Sequence, residues 1–439
     1  MMTTTTSTRA PLATASAPAP NRSSRRSFLR KSVGAAGVAS ALALRPQLAF
    51  ATPSNPATGD ALIVVFLRGG ADGLSMTPPT STAYDSYAAI RPTIAITPDQ
   101  SLPLDSSNLN AVFPQGLDGV IGLHPQLQPV YESAWANGQM AILPACGLPD
   151  AESRARSHFE AMRFWERGSA SPSVRSGFLA RLETALNAPG PVAGVSADGF
   201  SAQMLRGSRH SFSVNNLESF GVNGFENRMR ATSALRTMYA GTGMVNTTGA
   251  ATLGVSDTLG ALSVDGPVFP NDSFGRDLRD VSVMLKANIG LVSAVVNLNG
   301  WDHHAELGTP FDTEARFAGL TARLGQGLRA LIDDLGPDGL AETTIAVISE
   351  FGRTVDENGN GGTDHGRAGT MFLIGGGVQG GVFGNDYPDV IAEDPSNRRA
   401  FQVMTDYRQG LDEILSTRIG VNGIFPTMAA GTTLGVARP

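Results

Sequence analysis

The stretch Leu291–His304, LVSAVVNLNGWDHH, decides the fold class because an apolar run typical of a buried strand is followed directly by the polar residues Asp302, His303 and His304. Its first part, Leu291–Leu298, is short, apolar and rich in β-branched residues, as is Thr344–Ser349 (TIAVIS), which precedes Glu350. A third run of this kind, Ala61–Leu67 (ALIVVFL), leads into a glycine-rich loop. Such runs are typical of parallel sheets, and α/β proteins build their sites from the loops after the carboxyl ends of these strands.

Helical patterns separate the apolar runs and favour an α/β fold, with a mostly parallel central sheet and helices on both faces. We expect helices at Leu127–Asn137, Ser157–Arg167, Asp277–Asn288, Phe311–Leu335 and Tyr407–Arg418, and further strands at Met140–Leu143 and Thr370–Ile374. Between about residues 169 and 274 the chain is rich in Gly, Ser, Asn and Thr and loses its periodicity. This predicts a lid inserted into a single domain that spans residues 52–439.

Residues 1–51 have the features of a twin-arginine export signal. Ser24–Lys31 (SRRSFLRK) matches the signal motif, Ser32–Leu44 is an uncharged stretch of small residues, and Ala49–Ala51 offers an A-x-A cleavage site. The uncharged stretch is too short and too rich in Ala and Gly for a stable membrane span. We therefore expect export by the twin-arginine translocase to the periplasm or the extracellular space.

The charge of the chain excludes some classes of partner. Its 439 residues have a formal net charge of −6, and without residues 1–51 there are 26 basic against 39 acidic residues, or −13. Such an acidic surface argues against nucleic acid and anionic membranes as partners. Cys146 is the only cysteine, so no intrachain disulfide can form, and we expect it to be a small buried residue rather than a nucleophile.

Three of the six histidines follow the predicted strands. Carboxylates and imidazoles at strand ends can converge on a divalent cation without disrupting the sheet. In Trp301–His304 (WDHH), alternation along an extended chain can point Asp302 and His304 the same way and His303 elsewhere. We predict Asp302 and His304 as metal ligands, although a D-x-H pattern alone is also common in polar loops.

Two further clusters strengthen this interpretation. Glu350 follows its strand directly, and Arg353 could hold an anionic substrate oxygen in a fork, the alternative being a surface ion pair between the two. Asp364 and His365 follow a glycine-rich stretch, where Asp364 is as compatible with an ordinary polar loop. Asp72 lies just beyond the first strand, in a glycine-rich loop whose backbone can approach a ligand closely.

Ser157 is the leading candidate for a nucleophile, with His158 as a pocket residue. A hydroxyl nucleophile must be activated by a base or a metal, and a helix N-terminus adds N–H groups that favour an anionic group. Ser157 is also a favoured N-cap, which is nearly as good an explanation for it, and Ser75 and Thr77 are rival nucleophiles. The pattern Gly375–Gly380 fits G-x-G-x-x-G, but no helical period follows it, so we do not expect a dinucleotide site.

Six motifs give the chain a resemblance to an exported bacterial family, domain of unknown function 1501, within the alkaline phosphatase-like superfamily. They are LRGGADGLS (67–75), IGLHPQL (121–127), RSHFEAMRFWERG (156–168), NGWDHH (299–304), SEFGRT (349–354) and NGNGGTDHG (358–366). The resemblance implies an alkaline phosphatase-like fold and hydrolysis of phosphate or sulfate esters. It also implies one or two divalent metals, commonly zinc, manganese, magnesium or calcium, beside a Ser, Thr or modified Cys.

The resemblance also implies roles for single residues. Asp72 resembles the first-strand metal ligand, Ser157 the nucleophile, Asp302 and His304 a metal pair, and His365 the late histidine. The superfamily's Asp-His pair after the late strand is here Glu350-Phe351, which puts a second metal in doubt, and the formylglycine sulfatase signature C-x-P-x-R is missing around the helix start.

The sequence thus predicts an exported metal-dependent hydrolase of phosphate or sulfate esters. Its substrate would be a small-molecule or polysaccharide ester, attacked by Ser157 or a metal-bound hydroxide, with the metal and Arg353 stabilising the developing charge. The alternative is a non-catalytic extracytoplasmic protein, for binding or cell-envelope assembly, on a degenerate hydrolase scaffold.

Overall fold

A nine-stranded sheet forms the central layer of the protein. The computed structural model describes residues 60–439 except 115, 150, 151, 189–191, 200, 265–267, 385–399, 430 and 432, so the predicted export signal at residues 1–51 lies outside the described residues. The strands are β1 (Ala61–Arg68), β2 (Leu102–Pro103), β3 (Gly122–Leu123), β4 (Met140–Gly147), β5 (Gly194–Ser196), β6 (Ser211–Ser213), β7 (Ser293–Asn299), β8 (Thr343–Ser349), β9 (Gly369–Gly375), β10 (Gly381–Val382) and β11 (Thr405–Asp406). Strands β2 and β3 form a separate antiparallel pair.

The sheet is mostly parallel, as the sequence predicted. Its order is β10-β4-β9-β8-β1-β7-β5-β6, with β11 also beside β4. Only β9 among these strands runs antiparallel to its neighbours β4 and β8. A parallel neighbour needs a long crossover, usually through a helix, whereas residues 350–368 between β8 and β9 form a loop with no helix, so the chain returns in the opposite direction.

Ten α-helices lie in the part of the chain that the structure describes. They are α1 (Gly73–Met76), α2 (Tyr84–Ile90), α3 (Gln128–Val130), α4 (His158–Arg167), α5 (Phe178–Ala185), α6 (Arg228–Met238), α7 (Met244–Gly260), α8 (Ser273–Lys286), α9 (Arg316–Ala341) and α10 (Tyr407–Ile414). The helix predicted at Phe311–Leu335 begins later, because Ala315 is still extended, and continues to Ala341 across a kink at Gly336, whose φ is 65°. The next element after β9 is β10 and not a helix, so the glycine-rich pattern at Gly375–Gly380 does not lead into a helix, as a dinucleotide site would require.

Helices cover both faces of the sheet, which explains why the central strands are mostly apolar. In β1, Ile63 and Val65 face one core together with α8 and α9, while Leu62 and Val64 face a second core together with α4, α5 and α10. All four side chains are fully buried. Each such burial stabilises the fold by about 1.5–3 kcal/mol.

The region predicted as an inserted lid contributes to two layers. Strands β5 and β6 extend the central sheet beside β7, while α6 and α7 pack against each other around a small core that includes Leu235 and Leu253. The boundary of the lid at about 169–274 stays a prediction. Among the described helices, none is long and apolar enough to cross a membrane.

Candidate metal centre

Loops at the carboxyl edge of the sheet bring the candidate residues together. Strands β1, β7 and β8 are parallel neighbours, so the residues that follow them lie side by side. Gly69 follows β1, Asp302 follows β7 and Glu350 follows β8. A Cβ on Gly69, whose φ is +124°, would lie 2.5 Å from the backbone nitrogen of Asp302, so this close approach of two loops requires glycine. His158 reaches the same place from the start of α4.

Asp302 lies at the centre of a group of three histidines, His158, His304 and His365, which together we call the Asp302 cluster. Its Oδ1 is 3.0 Å from His304 Nε2 and 3.2 Å from His365 Nε2. Its Oδ2 is 3.4 Å from His158 Nε2. Within the described parts of the chain, His158, Asp302 and His365 are close enough to share a metal ion, with ligand atoms all within 4.8 Å of one another.

Glu350 holds the ring of His158 from behind. Its Oε1 accepts hydrogen bonds from His158 Nδ1 at 2.8 Å and from the backbone N–H of Gly69 at 2.9 Å. Glu350 itself is buried. Because a carboxylate only accepts, Nδ1 carries the proton and Nε2 presents its lone pair to the cluster. That Nε2 is buried and has no hydrogen-bond partner.

The other two histidines are fixed in the same way. His365 Nδ1 is 2.8 Å from the carbonyl oxygen of Arg156, and His304 Nδ1 is 2.9 Å from Asp364 Oδ1. The Nε2 atoms of His304 and His365 consequently face each other at 3.0 Å. His304 and Asp364 lie at the exposed side of the cluster, whereas the ring of His365 is more buried.

Arg353 is a structural residue in this site, which differs from the predicted role as a fork for substrate. Its side chain is buried. Its nitrogens donate to the carbonyl oxygens of Gly69, Gly70, Trp301 and Thr363 and, at 2.7 Å, to Asp302 Oδ1. Arg353 thus ties the loops after β1, β7 and β8 together and orients Asp302, and these bonds leave it little capacity to bind an external anion.

Asp72, predicted as a ligand, is placed differently. It is buried, caps α1 through a bond from the backbone N–H of Ser75, and pairs with the buried Arg91 at 3.0 Å. Although Asp72 Oδ2 lacks a hydrogen bond of good geometry, this ion pair already balances its charge. The structure does not bring Asp72 into the group of three that could share an ion.

His303 points away from the cluster, as the alternation along Trp301–His304 predicted. Its ring is buried against Trp301 and Phe317, and neither ring nitrogen has a hydrogen-bond partner. Burial lowers its pKa to about 4, so the ring is neutral at physiological pH.

Ser157 is the N-cap of α4, but its side chain makes no capping hydrogen bond. It is exposed. Both sequence neighbours of Ser157 contact the Asp302 cluster: the carbonyl oxygen of Arg156 accepts a hydrogen bond from His365, and the ring of His158 is part of the cluster. The rival nucleophiles Ser75 and Thr77 are buried, and Ser75 contacts Arg91.

The glycine-rich stretch before Asp364 is an organised loop. Asn358 donates to the carbonyl of His304 at 2.9 Å and to Asp364 Oδ1 at 3.3 Å. Its own Oδ1 accepts from the backbone N–H groups of Asn360 and Gly362. Asn358 thereby connects this loop to the exposed side of the cluster.

The electrostatics of the cluster suit a cation. Burial acts to raise the pKa of Asp302, but the hydrogen bond and charge of Arg353 prevail and lower that pKa to about 2. The hydrogen bond to Glu350 raises the pKa of His158, which makes its Nε2 more basic, and burial lowers the pKa of His365. Asp302 is thus an anion and His365 a neutral imidazole at physiological pH.

The residues present fit a divalent metal ion. Two imidazole nitrogens and a carboxylate converge, and the outer nitrogen of each imidazole is already held by an acceptor, which is the arrangement that orients histidine ligands in metalloproteins. The buried Nε2 of His158 has no hydrogen-bond partner within the protein, and a metal ion would supply a partner.

The fold and the site thus define an α/β protein with a candidate metal centre at the carboxyl edge of its sheet. A family model described as "Protein of unknown function (DUF1501)" matches residues 276–414, and it supports the resemblance over that part of the chain. The match includes Asp302, His304, Glu350 and His365 but not His158. No curated protein matches the chain.

One solved structure that aligns with the chain is titled "Crystal structure of Ps i-CgsB in complex with k-i-k-neocarrahexaose". The alignment covers 76% of this chain and 70% of that chain, at 8% identity and with a TM-score of 0.34. Similarity at this level is too low to indicate a shared fold or function.

The sequence placed His158 among the catalytic candidates, as a pocket residue, and not among the metal ligands. The structure puts its Nε2 in the centre of the site and Glu350, predicted as a ligand, behind it. The polar clusters after the predicted strands already offered enough candidate ligands for a metal ion. In addition, the sequence around a histidine at the start of a helix does not indicate which part of the fold its ring faces. One signal could have identified His158: the carboxylate of Glu350, directly after β8, can only accept hydrogen bonds, so it needs a donor such as a histidine ring nearby.

Proposed function

We propose that the protein is an exported, metal-dependent hydrolase of phosphate or sulfate esters, with an alkaline phosphatase-like fold. The convergence of imidazole nitrogens on Asp302, each with its outer nitrogen held in place, carries this proposal. A divalent ion at this place would supply positive charge to the oxygens of a phosphoryl or sulfuryl group.

Residues of this chain have distinct tasks in the proposed reaction. Asp302, His158 and His365 would bind the ion, and Arg353 and Glu350 hold Asp302 and His158 in place. Ser157 is the proposed nucleophile, since its hydroxyl is exposed at a helix start, is not used as a cap, and lies between two residues that contact the cluster.

A non-catalytic role remains the second candidate, because Arg353 is occupied within the protein. A hydrolase of charged esters commonly uses an arginine to hold the transferred group, and here Arg353 holds loops instead. On this alternative the ion would only stabilise the loops of a binding or cell-envelope assembly protein.

The deciding experiment combines metal analysis with ester hydrolysis. The purified full chain is assayed with p-nitrophenyl phosphate and p-nitrophenyl sulfate, before and after chelation and after metal is restored. We expect hydrolysis that is lost with the metal and restored with it. Asp302→Asn should abolish both metal binding and hydrolysis in a folded protein, whereas Asp312→Asn, in the same interstrand segment, should change neither.

The alternative makes the opposite prediction. If the metal-loaded wild type hydrolyses neither ester, and removal of the metal lowers the melting temperature or unfolds the protein, the binding or assembly role is supported and the hydrolase is not.

A further inference from the structure

We infer that the site holds one ion per chain, bound by His158, Asp302 and His365, and that it selects a zinc-class transition ion over calcium, magnesium and manganese. This inference rests on the metal site of the proposed function and specifies its ligands and its metal. It assigns His158 as a ligand and places His304, Glu350, Asp364 and Asp72 outside the ligand set.

The donor types decide the class of metal. The three residues offer two imidazole nitrogens and one carboxylate. Calcium takes about six to eight oxygen ligands, and magnesium demands near-octahedral oxygen coordination, whereas zinc binds histidine nitrogen readily. Imidazole suits zinc, copper, iron and nickel, while carboxylate-rich sites suit magnesium, calcium and manganese.

The separations of the donor atoms fit one small ion. Asp302 Oδ2 lies 3.4 Å from His158 Nε2, and Asp302 Oδ1 lies 3.2 Å from His365 Nε2. Bonds of about 2.0–2.1 Å to a tetrahedral zinc place neighbouring ligand atoms about 3.3 Å apart. Arg353 already donates to Oδ1 of Asp302, so Oδ2, which faces the unpartnered His158 Nε2, is the oxygen available to the ion.

His304 lies beside this set rather than in it. Its Nε2 lies 3.0 Å from both Asp302 Oδ1 and His365 Nε2, but His304 is not part of the group His158, Asp302 and His365 that could share an ion. Both of its ring nitrogens are at hydrogen-bond distance from carboxylate oxygens, 2.9 Å from Asp364 and 3.0 Å from Asp302, whereas the Nε2 of His158 has no hydrogen-bond partner. With three protein ligands, a tetrahedral ion keeps one position for substrate, which is typical of catalytic zinc sites.

Among the described residues, no group of three ligands apart from the Asp302 cluster is available for a second ion. Asp72 is paired with the buried Arg91, and Glu350 is committed to His158 and the backbone N–H of Gly69. Asp364 is exposed and bonded to His304 and Asn358. In each of these three residues, contacts within the protein already balance the negative charge or occupy the carboxylate oxygens, so a metal ion is not needed.

The test measures metal binding directly and does not depend on hydrolysis. Chelator-treated full chain is titrated with Zn²⁺ by calorimetry, alone and with Ca²⁺, Mg²⁺ or Mn²⁺ in large excess, and the bound metal is counted by elemental analysis. We expect one Zn²⁺ per chain that the other three ions do not displace. Two tightly bound ions per chain, or displacement of Zn²⁺ by an excess of Ca²⁺, would overturn the inference.

Variants identify the ligands. His158→Ala and His365→Ala should each abolish stoichiometric Zn²⁺ binding, while His304→Ala and the control His210→Ala should keep one ion. Glu350→Gln should weaken binding by about 10–100-fold, the usual effect of losing an outer partner of a ligand. Circular dichroism of each metal-free variant establishes that it is folded. Loss of the ion in His304→Ala, or its retention in a folded His158→Ala, contradicts the assigned ligands.

The two proposals fail in different ways. One zinc per chain without ester hydrolysis would leave this inference standing and refute the hydrolase. Hydrolysis supported by calcium or by two ions would support the hydrolase and refute this inference.

Discussion

Replacement of Arg353 by lysine tests whether this residue holds the site together or binds substrate. Arg353 has five acceptors, which are four backbone carbonyls and Asp302. A lysine ammonium has three donors, so at least two acceptors lose their partner. The carbonyl of Trp301 keeps the backbone N–H of His303, and Asp302 Oδ1 keeps its contacts with His304 and His365. The cost therefore falls on any carbonyl of Gly69, Gly70 or Thr363 that the single ammonium group does not reach.

The magnitude follows from the cost of an unpaired buried polar group, about 1–3 kcal/mol for each. We therefore expect Arg353→Lys to lower the free energy of unfolding by at least about 1–3 kcal/mol and to weaken zinc binding, because Asp302 loses its fixed orientation. Arg323→Lys is the matched control, since Arg323 is partly exposed and pairs with Asp272 at 2.7 Å. The control should change stability by less than about 1 kcal/mol.

The assay is urea unfolding followed by circular dichroism, combined with a metal titration of each variant. A substrate-binding arginine would behave differently, because its replacement would raise KM and leave stability and metal affinity unchanged. If Arg353→Lys unfolds at the wild-type urea concentration and binds zinc as wild type does, Arg353 is not the structural residue described above.

Three further perturbations test other parts of the protein. Burial raises the pKa of Glu183 to about 7 from its usual 4.5. The folded state thus holds a proton that the unfolded state releases, and stability is lost as pH rises from about 4.5 to 7, by about 3 kcal/mol in total. Glu183→Gln should remove this loss, and an equal difference in unfolding free energy from wild type at pH 5 and pH 8 would contradict it. Asn358→Ala should accelerate hydrogen exchange in the loop before Asp364 and weaken zinc binding by up to about 10-fold, with Asn360→Ala as control, and unchanged exchange would show that Asn358 does not organise the loop. Ser157→Ala should reduce ester hydrolysis by several orders of magnitude and leave the bound metal in place, whereas full activity would exclude Ser157 as the nucleophile.

The sheet could be predicted because its information is local. The β-branched runs that became β1, β7 and β8 are almost entirely buried, so their central positions are mostly apolar and they stand out from their surroundings. Strands β5 and β6 have three residues each, in a segment rich in Gly and Ser, and they extend the sheet because β5 pairs with the edge of β7 and β6 pairs with β5. Tertiary contacts of this kind leave no periodic signal.

The candidate site could be predicted only in part, because proximity to a strand end does not tell which way a side chain faces. Asp302 and His365 lie where the strand-end argument places ligands. Glu350 satisfies the same argument, yet both of its strongest contacts, to His158 Nδ1 and to the N–H of Gly69, are hydrogen bonds that support the site from behind. A carboxylate that binds a metal and one that orients a ligand have the same position in the sequence. The difference arises from the start of α4, which reaches the sheet edge from another part of the chain and presents the imidazole between Glu350 and Asp302.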